Sequence, residues 1–150
     1  MPKPIFVLNG ANLNLLGVRE PSIYGAETLE DVKRRSQVRA EALGLTIDFR
    51  QSNLEGELVT WIQEAREQAS GIILNAGAYT HTSIAILDAL NAAEKPVIEL
   101  HLSNVFRRES FRHHSYVAPA AQGLICGFGP KGYELAIEAM ADLLTGKAAR

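Results

Sequence analysis

Residues 4–25 read PIFVLNGANLNLLGVREPSIYG, and the fold turns on how this stretch divides. Pro4 to Leu8 is a short continuous apolar run, the pattern of a strand buried on both faces. Asn9-Gly10 breaks it, and the next helical pattern starts only at Thr28, so the connection from Asn9 to Gly25 is seventeen residues long. Strand-to-helix connections in α/β units take about 2–6 residues, and much longer ones tend to be functional or disordered. Leu13, Leu15 and Leu16 make the first half too apolar for a plain disordered linker. The second half is punctuated by Gly17, Pro21 and Gly25 and carries Arg19 and Tyr24. The spacing predicts an anchored half followed by a flexible lid over about residues 17–25.

Outward from this stretch, short apolar runs alternate with helical patterns. Thr28 with Asp31 forms a capping-box signature for a helix to Leu43, with Gly44 suited to its end. A second strand follows at 45–50. A helical pattern follows, with Leu54, Leu58, Trp61, Ile62, Ala65 and Ala69 on one face and Ser52 and Glu55 as its expected cap. A third strand at 71–75 leads through Gly77 to a helix capped by Thr82 or Ser83 and reaching Ala93. The fourth strand is 97–101. The segment 104–119 reads as irregular and basic, the fifth strand as 123–127, and the last helix as Gly132 to Leu144. The tail from about 146 to 150 is expected to be loose.

Strands alternating with helices imply βαβ units and a parallel sheet covered on both faces. Five units in 150 residues predict one domain over 1–150, α/β in class. Its expected architecture is a flavodoxin-like three-layer αβα sandwich with a five-stranded parallel sheet. An eightfold barrel needs about 250 residues and is excluded.

The apolar fraction of 47% is enough for a sizeable core. Net charge is −2, which argues against a broad attraction to nucleic acid or anionic membrane. Cys126 is the single cysteine, so neither an internal disulfide nor a cysteine metal cluster can form. No apolar run approaches the roughly 20 residues of a spanning helix, and the first one is too short for a signal peptide. The expected location is the cytoplasm.

In open parallel sheets, ligands bind beyond the carboxyl ends of the strands. The first strand ends in Asn9 and leads to Asn12, the third ends in Asn75 and leads to His81, and the fourth ends in His101-Leu102-Ser103-Asn104. These residues converge on one pocket, or else serve as caps for strand ends and helices, which Asn and Ser also do well. Tyr24 is a half-buried loop anchor or, with Arg19, a base. A guanidinium about 4 Å from a phenol is worth roughly 4 kcal/mol at an effective dielectric of about 20, or about three pKa units. His101 is a satisfied core histidine or an acid: Glu99 lies two residues earlier on the same strand, so the two side chains share a face. A carboxylate there orients an imidazole and favours its protonated form, as a general acid requires. Arg107, Arg108 and Arg112 form a solvated basic loop or, at the pocket rim, a carboxylate-binding group, with Arg112 best placed. His113-His114 lacks a third ligand and is not read as a metal site. Asp88, mid-helix, reads only as an exposed acid.

NGANLNLLGVREPSIYG, NAGAYTHTSIAILDAL from Asn75, and ELHLSN followed by FRRESFRHHS together resemble type II 3-dehydroquinate dehydratase across essentially the whole chain. The resemblance implies cofactor-free trans dehydration of 3-dehydroquinate to 3-dehydroshikimate through an enolate. It makes Tyr24 the base and Arg19 the lid cation that lowers its pKa. It makes His101 the acid, Glu99 its orienting partner, and Asn12 a holder of the enolate oxygen through water. Asn75, His81, Arg112 and the backbone at Leu102-Ser103 are implied to bind substrate, and Arg108 to help close the lid. Asp88 is implied to reach a neighbouring subunit's site, in trimers assembled into a dodecamer. A flavin carrier of the same architecture needs a Ser/Thr/Gly-rich phosphate loop after the first strand, where this chain is rich in Leu and Asn. A lysine imine lacks a lysine at any strand's carboxyl end.

Overall fold

The computed structural model describes residues 2–18 and 26–146. Arg19, Tyr24, most of the expected lid and the tail beyond 146 lie outside them. Five strands form one parallel sheet: β1 (Ile5–Asn9), β2 (Ile47–Gln51), β3 (Gly71–Asn75), β4 (Val97–His101) and β5 (Gly123–Cys126). Their order is β2-β1-β3-β4-β5, the doubly wound flavodoxin-like arrangement. The strand order reverses between β1 and β3, so the ligand crevice of such a sheet opens beyond those two strands. Asn9 and Asn75 are register partners at that point.

Among the described residues there are four α-helices: α1 (Leu29–Ala42), α2 (Glu55–Gln68), α3 (Ile84–Ala93) and α4 (Lys131–Thr145). The three central strands are buried along their whole length, and the edge strands β2 and β5 are partly open. This is why the central runs are continuously apolar rather than alternating. Alternate side chains feed two cores. Phe6, Leu8, Ile72 and Leu74 pack with Leu58, Ile62, Ile86 and Leu90 of α2 and α3. Ile5, Val7, Ile73, Ile98 and Leu100 pack on the other face with Val32 of α1 and Tyr133, Ile137 and Met140 of α4.

Local signals set most boundaries. Thr28 accepts from Asp31 N–H and the Asp31 carboxylate accepts from Thr28 N–H, a complete capping box. That pairing holds the Asp31 carboxyl below its usual range, through the backbone hydrogen bond first. Ser83, not Thr82, caps α3, accepting from Ile86 N–H at 2.9 Å. The expected cap of α2 differs. Its N-cap is Leu54, which has no side-chain hydrogen bond there, and Ser52 Oγ accepts from Leu54 N–H, two residues ahead of the N-cap. The buried Ser52 thus shapes the bend into the helix, and Leu54, placed on the apolar face by spacing, is 65% exposed because it precedes the first turn. The basic segment is not wholly irregular: three short 3-10 turns (Val105–Arg107, Ser110–Arg112, Ala118–Ala120) carry it from the carboxyl end of β4 back to the amino end of β5, where Gln122 N–H donates to Val97 O.

Candidate active site

A cleft of about 140 Å³ lies over the carboxyl ends of β1, β3 and β4. Its walls include Asn12, Asn75, His81, His101, Leu102, Ser103, Arg108 and Arg112, with Leu13, Leu15, Leu16 and Val105 as apolar lining. Eight residues singled out in the sequence therefore meet in one place. Glu99 stands just behind the wall.

The backbones beneath the cleft approach so closely that only glycine fits at two points. A Cβ on Gly10 would lie 2.2 Å from the Ala76 carbonyl oxygen. Gly77, at φ +62, would place one 2.9 Å from the Ala11 carbonyl oxygen. Gly10 N–H also donates to Asn75 O at 2.8 Å, so the turns after β1 and β3 are locked together. Beyond Gly10, Asn12 adopts a left-handed conformation at φ 71, one Asn tolerates. Its N–H donates to Asn53 Oδ1 at 3.0 Å, and Tyr79 hydroxyl donates to the Asn53 carbonyl at 2.7 Å. The β2–α2 connection thus fixes the turn that presents Asn12.

On β4, His101 Nε2 and Glu99 Oε2 are 2.6 Å apart, and both residues are buried. A buried carboxylate is tolerated only when partnered. Here Ser115 Oγ lies 3.0 Å from each Glu99 oxygen and accepts from Val117 and Ala118 N–H. Because Nε2 is engaged by Glu99, Nδ1 is the His101 nitrogen left for a ligand. The His81 ring stacks near His101, with centroids 6.3 Å apart. His81 Nδ1 lies 2.8 Å from the His114 carbonyl oxygen, which can only accept, so Nδ1 carries the proton and Nε2 of the neutral ring is an acceptor. Desolvation holds the His81 pKa below its ordinary value, and His101 and Arg112 push the same way against the carbonyl's opposite effect.

At the rim, Arg112 Nε donates to Glu109 Oε1 at 2.9 Å, and Arg108 donates to Ser103 Oγ at 3.4 Å. Glu109 is held below the usual carboxylate range, first by its own backbone hydrogen bond and then by Arg112. Beneath Asn75 lies a chain of buried polar groups. Asn75 Nδ2 donates to Tyr133 hydroxyl at 3.0 Å, the hydroxyl donates to Asn9 Oδ1 at 2.6 Å, and Asn9 Nδ2 donates to Arg50 O at 2.9 Å.

Sequence reasoning missed Ser115 and Tyr133. The first looks like any loop serine, and the second sits where its helix's apolar stripe expects a core residue. Asp88 is exposed on α3 and does not line this cleft. His113 and His114 face different partners: His113 Nε2 donates to Arg108 O, and the His114 ring meets Tyr116 edge-on. Among the described residues, no three His, Cys, Asp or Glu side chains group to hold a metal ion, and no helix is long and apolar enough to cross a membrane.

Fold and cleft together define a doubly wound α/β enzyme with an imidazole–carboxylate pair and a polar cleft at the switch point. The family pattern described as dehydroquinase class II matches residues 3–141. The chain is 61% identical to the 3-dehydroquinate dehydratase of Mesorhizobium japonicum, over 95% of this chain and 99% of that one. It is 57% identical to that of Rhizobium johnstonii over the same shares. Among solved structures, the type II dehydroquinase of Propionibacterium acnes superposes with a TM-score of 0.90 at 45% identity, covering 94% of this chain and 97% of that one. The chain belongs to the type II dehydroquinase family.

Proposed function

We propose that this chain is a 3-dehydroquinate dehydratase that eliminates water in the trans sense, without a cofactor, through an enolate. The observation that carries the reading is the Glu99–His101 pair set into a cleft that also holds Asn75, His81 and Arg112. Tyr24, as tyrosinate beside Arg19, removes the proton next to the ketone. The electron pair moves onto the ketone oxygen, which Asn12 steadies through water. When the pair returns, a carbon–carbon double bond forms and the β-hydroxyl leaves as water, taking a proton from His101. Proton transfer from Tyr24 back to the imidazole, through solvent, resets the site.

Glu99 steadies the imidazolium that donates, and Ser115 holds the carboxylate in place. Arg112 meets the substrate carboxylate, together with the backbone at Leu102-Ser103, while Asn75 and neutral His81 meet its hydroxyls. Arg108 helps draw the lid over the cleft, excluding water. Asp88 reaches the site of a neighbouring copy in a homododecamer built from trimers; its exposure away from its own cleft supports this. The expected place of work is the cytoplasm, in aromatic biosynthesis or quinate breakdown.

The test is ultraviolet detection of the enone. Wild type forms it from 3-dehydroquinate, and Tyr24→Phe and His101→Ala each abolish turnover while still binding substrate. Near-normal turnover in both variants would overturn the role assignment.

A further inference from the structure

The strongest unassigned feature is the buried polar chain that ends under Asn75. We infer that Tyr133 is a positioning residue: its hydroxyl sets which way the Asn75 amide faces the cleft, and thereby how the cleft reads a ligand's hydroxyl groups. The chain begins at an atom with no choice. The Arg50 carbonyl oxygen can only accept, so the Asn9 side chain must turn its Nδ2 toward it, at 2.9 Å. Asn9 Oδ1 then faces Tyr133, and the phenol spends its only proton on it, at 2.6 Å. A hydroxyl that has given its proton away can only accept from its other neighbour. Asn75 is therefore obliged to present Nδ2 to Tyr133, at 3.0 Å, and to leave Oδ1 on the side of Gly77 N–H and the cleft.

Without the phenol oxygen, only the long 3.4 Å contact from Gly77 N–H tells apart two amide faces of similar shape and opposite hydrogen-bonding sense. With it, the cleft meets a fixed carbonyl oxygen and the second Nδ2 hydrogen. That pattern suits a ligand hydroxyl, which donates to one and accepts from the other. Three further observations support a dedicated part. Tyr133 is fully buried at 1% exposure, where an unpartnered hydroxyl would cost about 1–3 kcal/mol. Burial also pushes its phenol pKa far up, so it remains a neutral donor. It reaches the site from α4, across the register pair Asn9 and Asn75 at the switch point.

The ligand side of this inference rests on the dehydratase reading; the relay itself does not. Tyr133→Phe keeps the ring and removes one oxygen. Its KM for 3-dehydroquinate rises about tenfold, the size of one well-made polar contact, while kcat changes less than about threefold. In an Asn75→Ala background the same change raises KM less than about twofold further, because the amide it orients is gone. Independently of turnover, the Asn75 side-chain amide protons, read by NMR, exchange with solvent faster in Tyr133→Phe than in wild type. A tenfold KM effect that persists in the Asn75→Ala background, a KM within twofold of wild type, or unchanged exchange overturns the inference. Lower thermal stability with an unaltered KM overturns it too, since the hydroxyl is then only structural. If wild type fails to dehydrate 3-dehydroquinate, the functional reading falls, and the exchange measurement still decides the relay. Should Tyr133→Phe not fold, Asn9→Ala, which removes the acceptor that directs the hydroxyl, is read by the same criteria.

Discussion

His101 and Glu99, two residues apart on β4, meet at 2.6 Å within the buried wall of the cleft, and a serine from a distant loop completes the group. A carboxylate acceptor is what this imidazole nitrogen requires. Glu99→Gln keeps the shape and removes the charge. The expected result is a fall in kcat of about 100-fold, with KM changed only a few-fold, in the range attributed to a displaced or mis-protonated general acid. Steady-state assays of enone formation check it.

Ser115→Ala leaves Glu99 one donor short and strands the N–H groups of Val117 and Ala118. The expected loss is about 1–3 kcal/mol of folding stability, read as a lower urea midpoint. A several-fold lower kcat accompanies it, because the carboxylate behind His101 is less firmly placed.

The lowered pKa of His81 gives a pH dependence of definite sign. The unfolded ring takes up a proton near pH 6.5, and the folded ring only at lower pH. Across that window the unfolded state binds more protons, so stability falls as pH falls from about 7 and levels off below the folded pKa. His81→Gln has a flatter stability profile from pH 7 to 5, measured by thermal melts in matched ionic strength.

Gly10→Ala drives a methyl group into the Ala76 carbonyl, backbone that cannot step aside. Overpacking of this kind costs about 1–3 kcal/mol or more. Because the same turn bonds to Asn75 O, activity falls alongside the melting temperature.

Arg112→Lys preserves charge and loses the planar fork that grips a carboxylate. KM for 3-dehydroquinate is expected to rise about tenfold or more with kcat little altered. Initial-rate measurements separate the two.

The parts legible in the sequence are those whose causes are local. Thr28 and Asp31 are three residues apart, and their capping box forms as the pattern predicts. Strands 71–75 and 97–101 announce themselves as bounded apolar runs, and a period of two was enough to put Glu99 beside His101. Fold logic placed the strand-end residues Asn12, Asn75, His81, His101, Leu102 and Ser103 at one cleft, while Arg108 and Arg112 read as a solvated loop or as rim groups; all eight line it. What local pattern could not supply was partnership across the chain. Tyr133 lies 124 positions from Asn9, and in its helix it is one more large residue on an apolar stripe. Ser115 is sixteen positions from Glu99, in a loop with no period to read. Ser52 shows the limit of local rules themselves: its hydroxyl was expected at a helix terminus, and its own bend claimed it first.

Asn9 and Asn75 face the α1/α4 layer that holds Tyr133, whereas Glu99 and His101 point to the other side, where Ser115 waits. In the proposed mechanism, ligand reading by Asn75 and proton donation by His101 therefore draw their support from separate halves of the sandwich, with a wall of main chain between them. Such a division makes the two functions tunable apart: lesions in one layer should combine with lesions in the other as independent quantities, and drift could reshape substrate preference without disturbing the acid.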